Sequence, residues 1–202
     1  MFRLIWNLLA LFGLAVVAGL IWVAVTYDFG VQNLRDAGNL ADFDGKAPQV
    51  YIEMAKSLLA TGNAAEATVW KVPVTEGLDA ADVEETMRFV ANEHNIKNVG
   101  ELPLSDEVAA MTGQTQRLWK IYMFCNPLTA ARMIDYSDAY SAYLPCRISL
   151  VEDREGRLWL YTLNMDMMIH GGKPLPPELF DEAIGIKETI LDIMNRGAKG
   201  EF

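Results

Sequence analysis

From Leu4 to Thr26 the chain runs LIWNLLALFGLAVVAGLIWVAVT, 23 residues without a charged side chain. At 1.5 Å rise per residue such a helix is about 35 Å long, enough to cross a hydrocarbon core of about 30 Å with a slight tilt. Trp6, Trp22 and Tyr27 lie towards its two ends, where amphipathic rings favour the membrane interface. The pattern predicts a transmembrane helix over 4–27, a short tail at 1–3 and an exit into water at Asp28. A cleavable secretory signal would have a shorter apolar part, about 7 to 15 residues, followed by a small-residue cleavage site, and neither is present. Arg3 on one side and Arg35 and Lys46 on the other barely bias the orientation. A very short leading tail favours the cytoplasm, which puts the remainder in the periplasm of a two-membrane bacterium, anchored to the inner membrane.

Past the apolar run the periodicity changes. Residues 28–47 hold four Asp and three Gly with little repeat and read as a linker. Pro48 opens a connecting helix within 48–66, with Val50, Tyr51, Met54, Leu58 and Leu59 on one face and a stop near Gly62. From 67 to 202 the spacing predicts one α+β domain. Ala67–Val74 reads as a strand that Pro73 confines to an edge. Asp79 caps a helix whose apolar positions are Val83, Met87, Val90, Ala91 and His94. Ile96–Leu102 reads as a strand, Ser105–Met111 as a short helix, and Leu118–Cys125 as a central strand. Asn126-Pro127 opens a helix through Ile134. Cys146–Val151 and Arg157–Leu163 flank the polar turn Glu152-Asp153-Arg154-Glu155-Gly156, a hairpin signal. A last helix follows Pro176-Pro177, burying Leu179, Ala183, Ile186, Ile190, Leu191 and Met194. The order favours a mainly antiparallel sheet with helices packed on one face.

Charge narrows the partners. The net charge of −10 falls on the part after the anchor, so nucleic acid and anionic headgroups are disfavoured as ligands, and the lipid bilayer is engaged through Leu4–Tyr27 alone. A homodimer or a membrane protein partner fits a tethered domain, and Tyr136, Tyr140 and Tyr143 with Trp119 and Trp159 could line an aromatic pocket or a dimer surface.

Candidate chemistry rests on sulfur. Cys125 and Cys146 end one strand and begin another, so they could form a disulfide across the sheet or sit apart as apolar thiols. Met165, Met167, Met168 and His170 form a thioether-rich cluster after a strand, and with a thiolate such ligands suit Cu(I); core packing is the plainer role for them. The only two histidines lack zinc-hydrolase spacing, and serine-hydrolase, phosphate-loop and dinucleotide motifs are absent.

The run Phe124-Cys125-Asn126-Pro127, followed about twenty residues on by Leu144-Pro145-Cys146-Arg147-Ile148 and the acidic-glycine hairpin, resembles the bacterial domain-of-unknown-function 302 family over about residues 68–165. The anchor and final helix resemble a membrane-bound subgroup associated with sulfur-oxidising proteobacteria. The resemblance implies a compact α+β domain, often dimeric, without an established activity or catalytic residues. Cys146 and Arg147 match its signature, and an arginine beside a thiol could lower the thiol pKa and hold an anion. The sequence thus points to a membrane-tethered binding or accessory domain serving a redox or sulfur-handling complex, with no resident cofactor. The alternative is a thiol- or copper-handling protein using Cys146 and the Met165–His170 cluster.

Overall fold

The computed structural model describes residues 2–26 and 36–202, in two compact units, one within Met1–Phe43 and one spanning Asp44–Phe202. The expected interface ring at Tyr27, the exit at Asp28 and the first part of the linker, 28–35, lie outside the described residues. The first unit holds α1 (Phe2–Thr26) and a 3-10 turn at Ala37–Asp42. Ile5–Thr26 is long and apolar enough to cross a membrane.

The second unit begins with α2 (Ala47–Thr61) and α3 (Ala64–Ala67). Pro48 sits in the first turn of α2, where no amide partner is needed, and Gly62 ends it with φ +65°, a conformation that costs glycine little. The helix read as a connector is packed into this unit: Ala47 and Val50 are buried, and the Tyr51 hydroxyl donates to the Gly171 carbonyl at 2.6 Å.

Five strands follow in the spatial order β1-β5-β4-β3-β2, every neighbouring pair antiparallel. They are β1 (Val69–Pro73), β2 (Lys97–Leu102), β3 (Trp119–Cys125), β4 (Cys146–Glu152) and β5 (Leu158–Leu163). β1 is an edge strand, as Pro73 requires. The strand expected at the centre, β3, lies one in from the other edge, and the middle strand is β4, half of the β4–β5 hairpin. In that hairpin Asp153 accepts from the Glu155 and Arg157 amides and from the Trp159 indole, fixing the turn that Gly156 closes at φ +81°.

Between the strands lie α4 (Ala80–Glu93), α5 (Leu104–Thr112) and α6 (Pro127–Tyr136), the last followed by a 3-10 turn at Asp138–Ala142, while α7 (Asp166–His170) and α8 (Pro177–Gly197) follow β5. Asp79 forms a full capping box with Asp82, and Asn126 accepts from the Leu128 and Thr129 amides at the start of α6. α4 and α8 supply Val83, Met87, Val90, Ile190, Ile193 and Met194 to a core completed by Tyr122, Phe124, Ile148, Leu150 and Leu160 of the sheet. His94, expected on the apolar face of α4, instead follows its last turn with its ring exposed and pairs with Asp192 at 2.8 Å.

Strand alternation sends the other residues to the opposite face. Register aligns them in rows: Gly100, Met123 and Arg147; Leu102, Ile121, Ser149, Tyr161 and Lys71; Trp119, Val151, Trp159 and Pro73. These side chains are half-buried or exposed, Trp119 by 42% and Leu102 by 39%.

At the β2–β3 end of the covered face Lys120 bridges Glu84 and Glu101 at 3.0 and 2.9 Å, and Arg88 binds both carboxylates. The Tyr122 hydroxyl lies close by, fully buried and without a hydrogen-bond partner among the described residues. Burial pushes the Glu101 carboxyl up, but hydrogen bonds from Lys120, Arg88 and Asn98 more than offset this and hold it below its ordinary 4.5. A carboxylate with a depressed folded pKa contributes stability that is complete above its unfolded value and lost as pH falls through the folded one. Urea midpoints should therefore drop below about pH 4.5 in the native chain. Glu101→Gln should cost about 1–2 kcal/mol at pH 7 and flatten that acid limb.

Close approach of α8 to α4 sets a second constraint, since a Cβ on Gly197 would meet Met87 Cγ at 2.6 Å. Gly197→Ala should cost about 1–3 kcal/mol in chemical denaturation, and Met87→Ala should relieve the overlap while opening a cavity of its own.

Candidate functional site

Where β3 ends and β4 begins, Phe124 pairs with Cys146, so Cys125 stands diagonally beside Cys146. The chain between them forms α6 and the 3-10 turn and returns through a cis Leu144–Pro145 peptide. α6 contributes Thr129, Ala130 and Met133, the turn region Tyr140 and Leu144, α8 Ala183 and Ile186. Met165, at the foot of α7, and Met168, one turn later, close the side. They enclose a narrow cavity of about 30 Å³ within a cleft whose empty space totals about 450 Å³. A water molecule needs roughly 10–15 Å³ by the same measure, so the cavity takes one or two water-sized groups.

The walls are mostly carbon and sulfur, with Cys125, Cys146, Met133, Met165 and Met168 all contributing. Both cysteines are free thiols, Cys125 half-buried and Cys146 buried, so the disulfide alternative is not the state seen. Burial pushes the Cys146 thiol up to about 11; charge on the neighbouring Cys125 adds to this, and Arg147 offsets it only partly. The idea that Arg147 activates Cys146 is corrected here. Successive strand residues face opposite ways, so Arg147 is exposed on the open face of the sheet while Cys146 points into the core. Cys125 is also raised, by burial.

The Met165–His170 cluster divides. Met165 and Met168 reach the cavity, whereas Met167 lines a separate polar groove with Ser137, Gly172 and Lys173. His170 is buried away from both, its Nδ1 3.2 Å from Asp44 Oδ2 and its ring edge-on to Phe180 at 5.5 Å. A ligand set joining Cys146 to Met167 or His170 is therefore not assembled. The aromatic cluster divides as well. Tyr136, Tyr140 and Tyr143 form a tilted row, ring centroids 6.1 and 6.5 Å apart, beside the cleft, while Trp119 and Trp159 flank Val151 on the open sheet face. Among the described residues no three His, Cys, Asp or Glu side chains converge as a metal site. Met133 of α6 and the helix α8 side of the cleft are site features that sequence reasoning missed. The helical spacing of Ala183 and Ile186 marked them only as buried, and nothing in the sequence pattern singled out Met133.

With the fold and cleft described, comparison with known proteins adds kinship. The model of Domain of unknown function DUF302 matches residues 70–196. The chain belongs to the DUF302 family. A crystal structure of an uncharacterized conserved DUF302 protein from Bacillus stearothermophilus superposes with a TM-score of 0.52 at 16% identity, covering 64% of this chain and 97% of that one. At that identity the likeness speaks for the fold alone. No curated protein matches the chain. The DUF302 match begins in β1 and ends in α8, so it takes in the sheet and the whole cleft and leaves out α1 and α2.

Thiol chemistry checks the geometry. At pH 7 iodoacetamide should modify the half-buried Cys125 slowly and leave Cys146 unmodified in the folded chain, with both reacting in denaturant. Peptide mass analysis reads the difference, and rapid labelling of native Cys146 would contradict the burial described.

Proposed function

We propose that this DUF302 chain is a membrane-tethered accessory domain, of a membrane-bound kind within its family, that holds a small soft or apolar ligand in the sulfur-lined cavity. One observation carries the reading: two thiols and three thioethers share the wall of a cavity that admits only one or two water-sized groups. A nucleophilic role fits less well, because a thiol pushed up to about 11 carries almost no thiolate at neutral pH. The apolar Ile5–Thr26 helix, long enough to span a bilayer, supports the tether. Such a domain suits service to a redox or sulfur-handling complex, where a soft ligand is passed between partners.

Self-association is assigned to the open sheet face, with a second copy of this chain as the occupant. Five strands of about five residues make a face of roughly 24 by 17 Å, whose relief gives several hundred Å² per copy, at the small, weak end of protein interfaces. Its middle is Ile121, Met123, Ser149, Val151 and Tyr161, with Lys71 and Arg147 at the border, the apolar-centre and polar-rim arrangement of interfaces.

Two measurements test these readings. Xenon, apolar and polarisable, should shift the methyl resonances of Met165 and Met168 but not of Met167, and Ala183→Leu, which fills the cavity, should abolish the shifts. An unchanged spectrum in the native chain sinks the ligand-binding reading. Light scattering of the detergent-solubilised full chain should give a dimer that Ile121→Lys and Val151→Lys each weaken by about tenfold or more. A native monomer, or a dimer indifferent to both substitutions, removes the sheet face as the interface.

A further inference from the structure

We propose that the cavity is a Cu(I) site in which Cys146 supplies the thiolate and Met165 and Met168 supply thioether ligands. The inference rests on the cavity being the binding site and names its ligand. Size comes first: about 30 Å³ at the sulfur-lined base of the cleft suits a single ion. Donor type comes next. Thiolate and thioether sulfur are soft ligands that select Cu(I), whereas zinc sites draw on Cys, His and carboxylates, and no such trio converges among the described residues.

Charge decides the stoichiometry. Phe124, Leu144, Ala183 and Ile186 surround the sulfurs, and a net charge among such side chains is costly unless compensated. One thiolate on a monovalent ion gives a neutral centre, which those walls accept. Two thiolates on Cu(I) would leave a buried negative charge, with the exposed Arg147 facing the other side of the sheet. The balanced step is Cu⁺ plus the Cys146 thiol giving the Cu–S bond and one proton released to water. The S–H bond breaks, a Cu–S bond forms, copper stays monovalent and no electron is transferred. Met165 and Met168 complete the coordination through sulfur lone pairs. Cys125 lines the same cavity and keeps its proton, serving as a spare soft donor during exchange.

The geometry separates this site from the four-residue cluster, Met165, Met167, Met168 and His170, seen in the sequence. Positions 165 and 168 are three apart at the start of a helical turn and reach the cavity, while Met167 and His170 fall on other sides of it. His170 in any case holds Asp44.

The test uses the full chain in detergent, anaerobically, with Cu(I) competed against a chromophoric Cu(I) chelator. One ion per chain should bind with release of one proton, read by a pH indicator. Methyl resonances of Met165 and Met168 should shift and that of Met167 should not. Cys146→Ser should abolish retention against the chelator. Met165→Leu and Met168→Leu conserve volume, so folding survives, and each should weaken binding by about tenfold or more. Absence of Cu(I) binding overturns the proposal, as does binding that leaves both methyl resonances in place or survives all three substitutions. Release of two protons overturns the single-thiolate centre. Xenon uptake without Cu(I) uptake overturns copper and leaves the ligand-binding reading standing. Failure of both removes the two together.

Discussion

Burial of only one face of the sheet is the constraint on which the rest of this molecule depends. β3, β4 and β5 place Tyr122, Phe124, Ile148, Leu150 and Leu160 under α4 and α8, and each of these residues is fully buried. Side chains alternate along a strand, so this choice fixes every neighbour. Lys120 falls on the covered side and needs Glu84 and Glu101. Arg147, Ser149 and Val151 fall on the open side. The close fit of Gly197 against Met87 holds the two helices together over the sheet, and a substitution there disturbs both layers at once. Helix α6 and the short α7 cover the β3–β4 end less tightly, and the sulfur-lined cavity is the space that remains between them.

Much of this fold was legible because its signals were local. Asp79 and Asn126 are caps that a short window reveals, and Pro73 marks an edge wherever it sits in a strand. The acidic-glycine turn of the hairpin carries its own hydrogen-bond partners in Asp153. Strand order is another matter. β3 reads as central because apolar residues occupy both of its faces, yet the middle position belongs to β4, whose polar Arg147 and Ser149 on the open face hide it. The apolar residues on the outer face of β3 reflect an uncovered surface rather than a doubly covered strand.

The candidate site was legible as a list of residues but not as a place. Cys125 and Cys146 meet because Phe124 pairs with Cys146, a register set by the whole β3–β4 ladder. Met165 and Met168 share a side because α7 starts where it does; a start one residue later would have favoured other positions. Cys146 and Arg147 illustrate the reverse error. Adjacent letters suggested an activated thiol, but adjacency along a strand means opposite faces, and burial outweighs the arginine. A thiol in that setting carries little free thiolate, which favours holding a soft ligand that displaces its proton over attacking one.

Charge distribution ties cavity, face and tether together. The chain carries −10 overall, yet the rows of the open face hold Lys71 and Arg147 and no acidic residue, so the acid lies elsewhere on the unit. Lys71 is answered by Glu66 at 2.8 Å and leans over Trp159, which leaves Arg147 as the cation without an ion pair among the described residues at that border. A two-fold axis lying across the strands would bring the row of Arg147 over the row of Trp119 and Trp159 in the second copy, where an aromatic face meets a cation favourably. Such contacts are individually weak, about 0.5–1 kcal/mol at exposed sites. If the proposed tether confines two copies to one membrane, it raises their effective concentration, so a face too small to dimerise a free domain firmly would suffice for a tethered one. The proposed pairing over the open face would leave the opposite side of the sheet uncovered, and that is the side on which Cys146 lines the cleft.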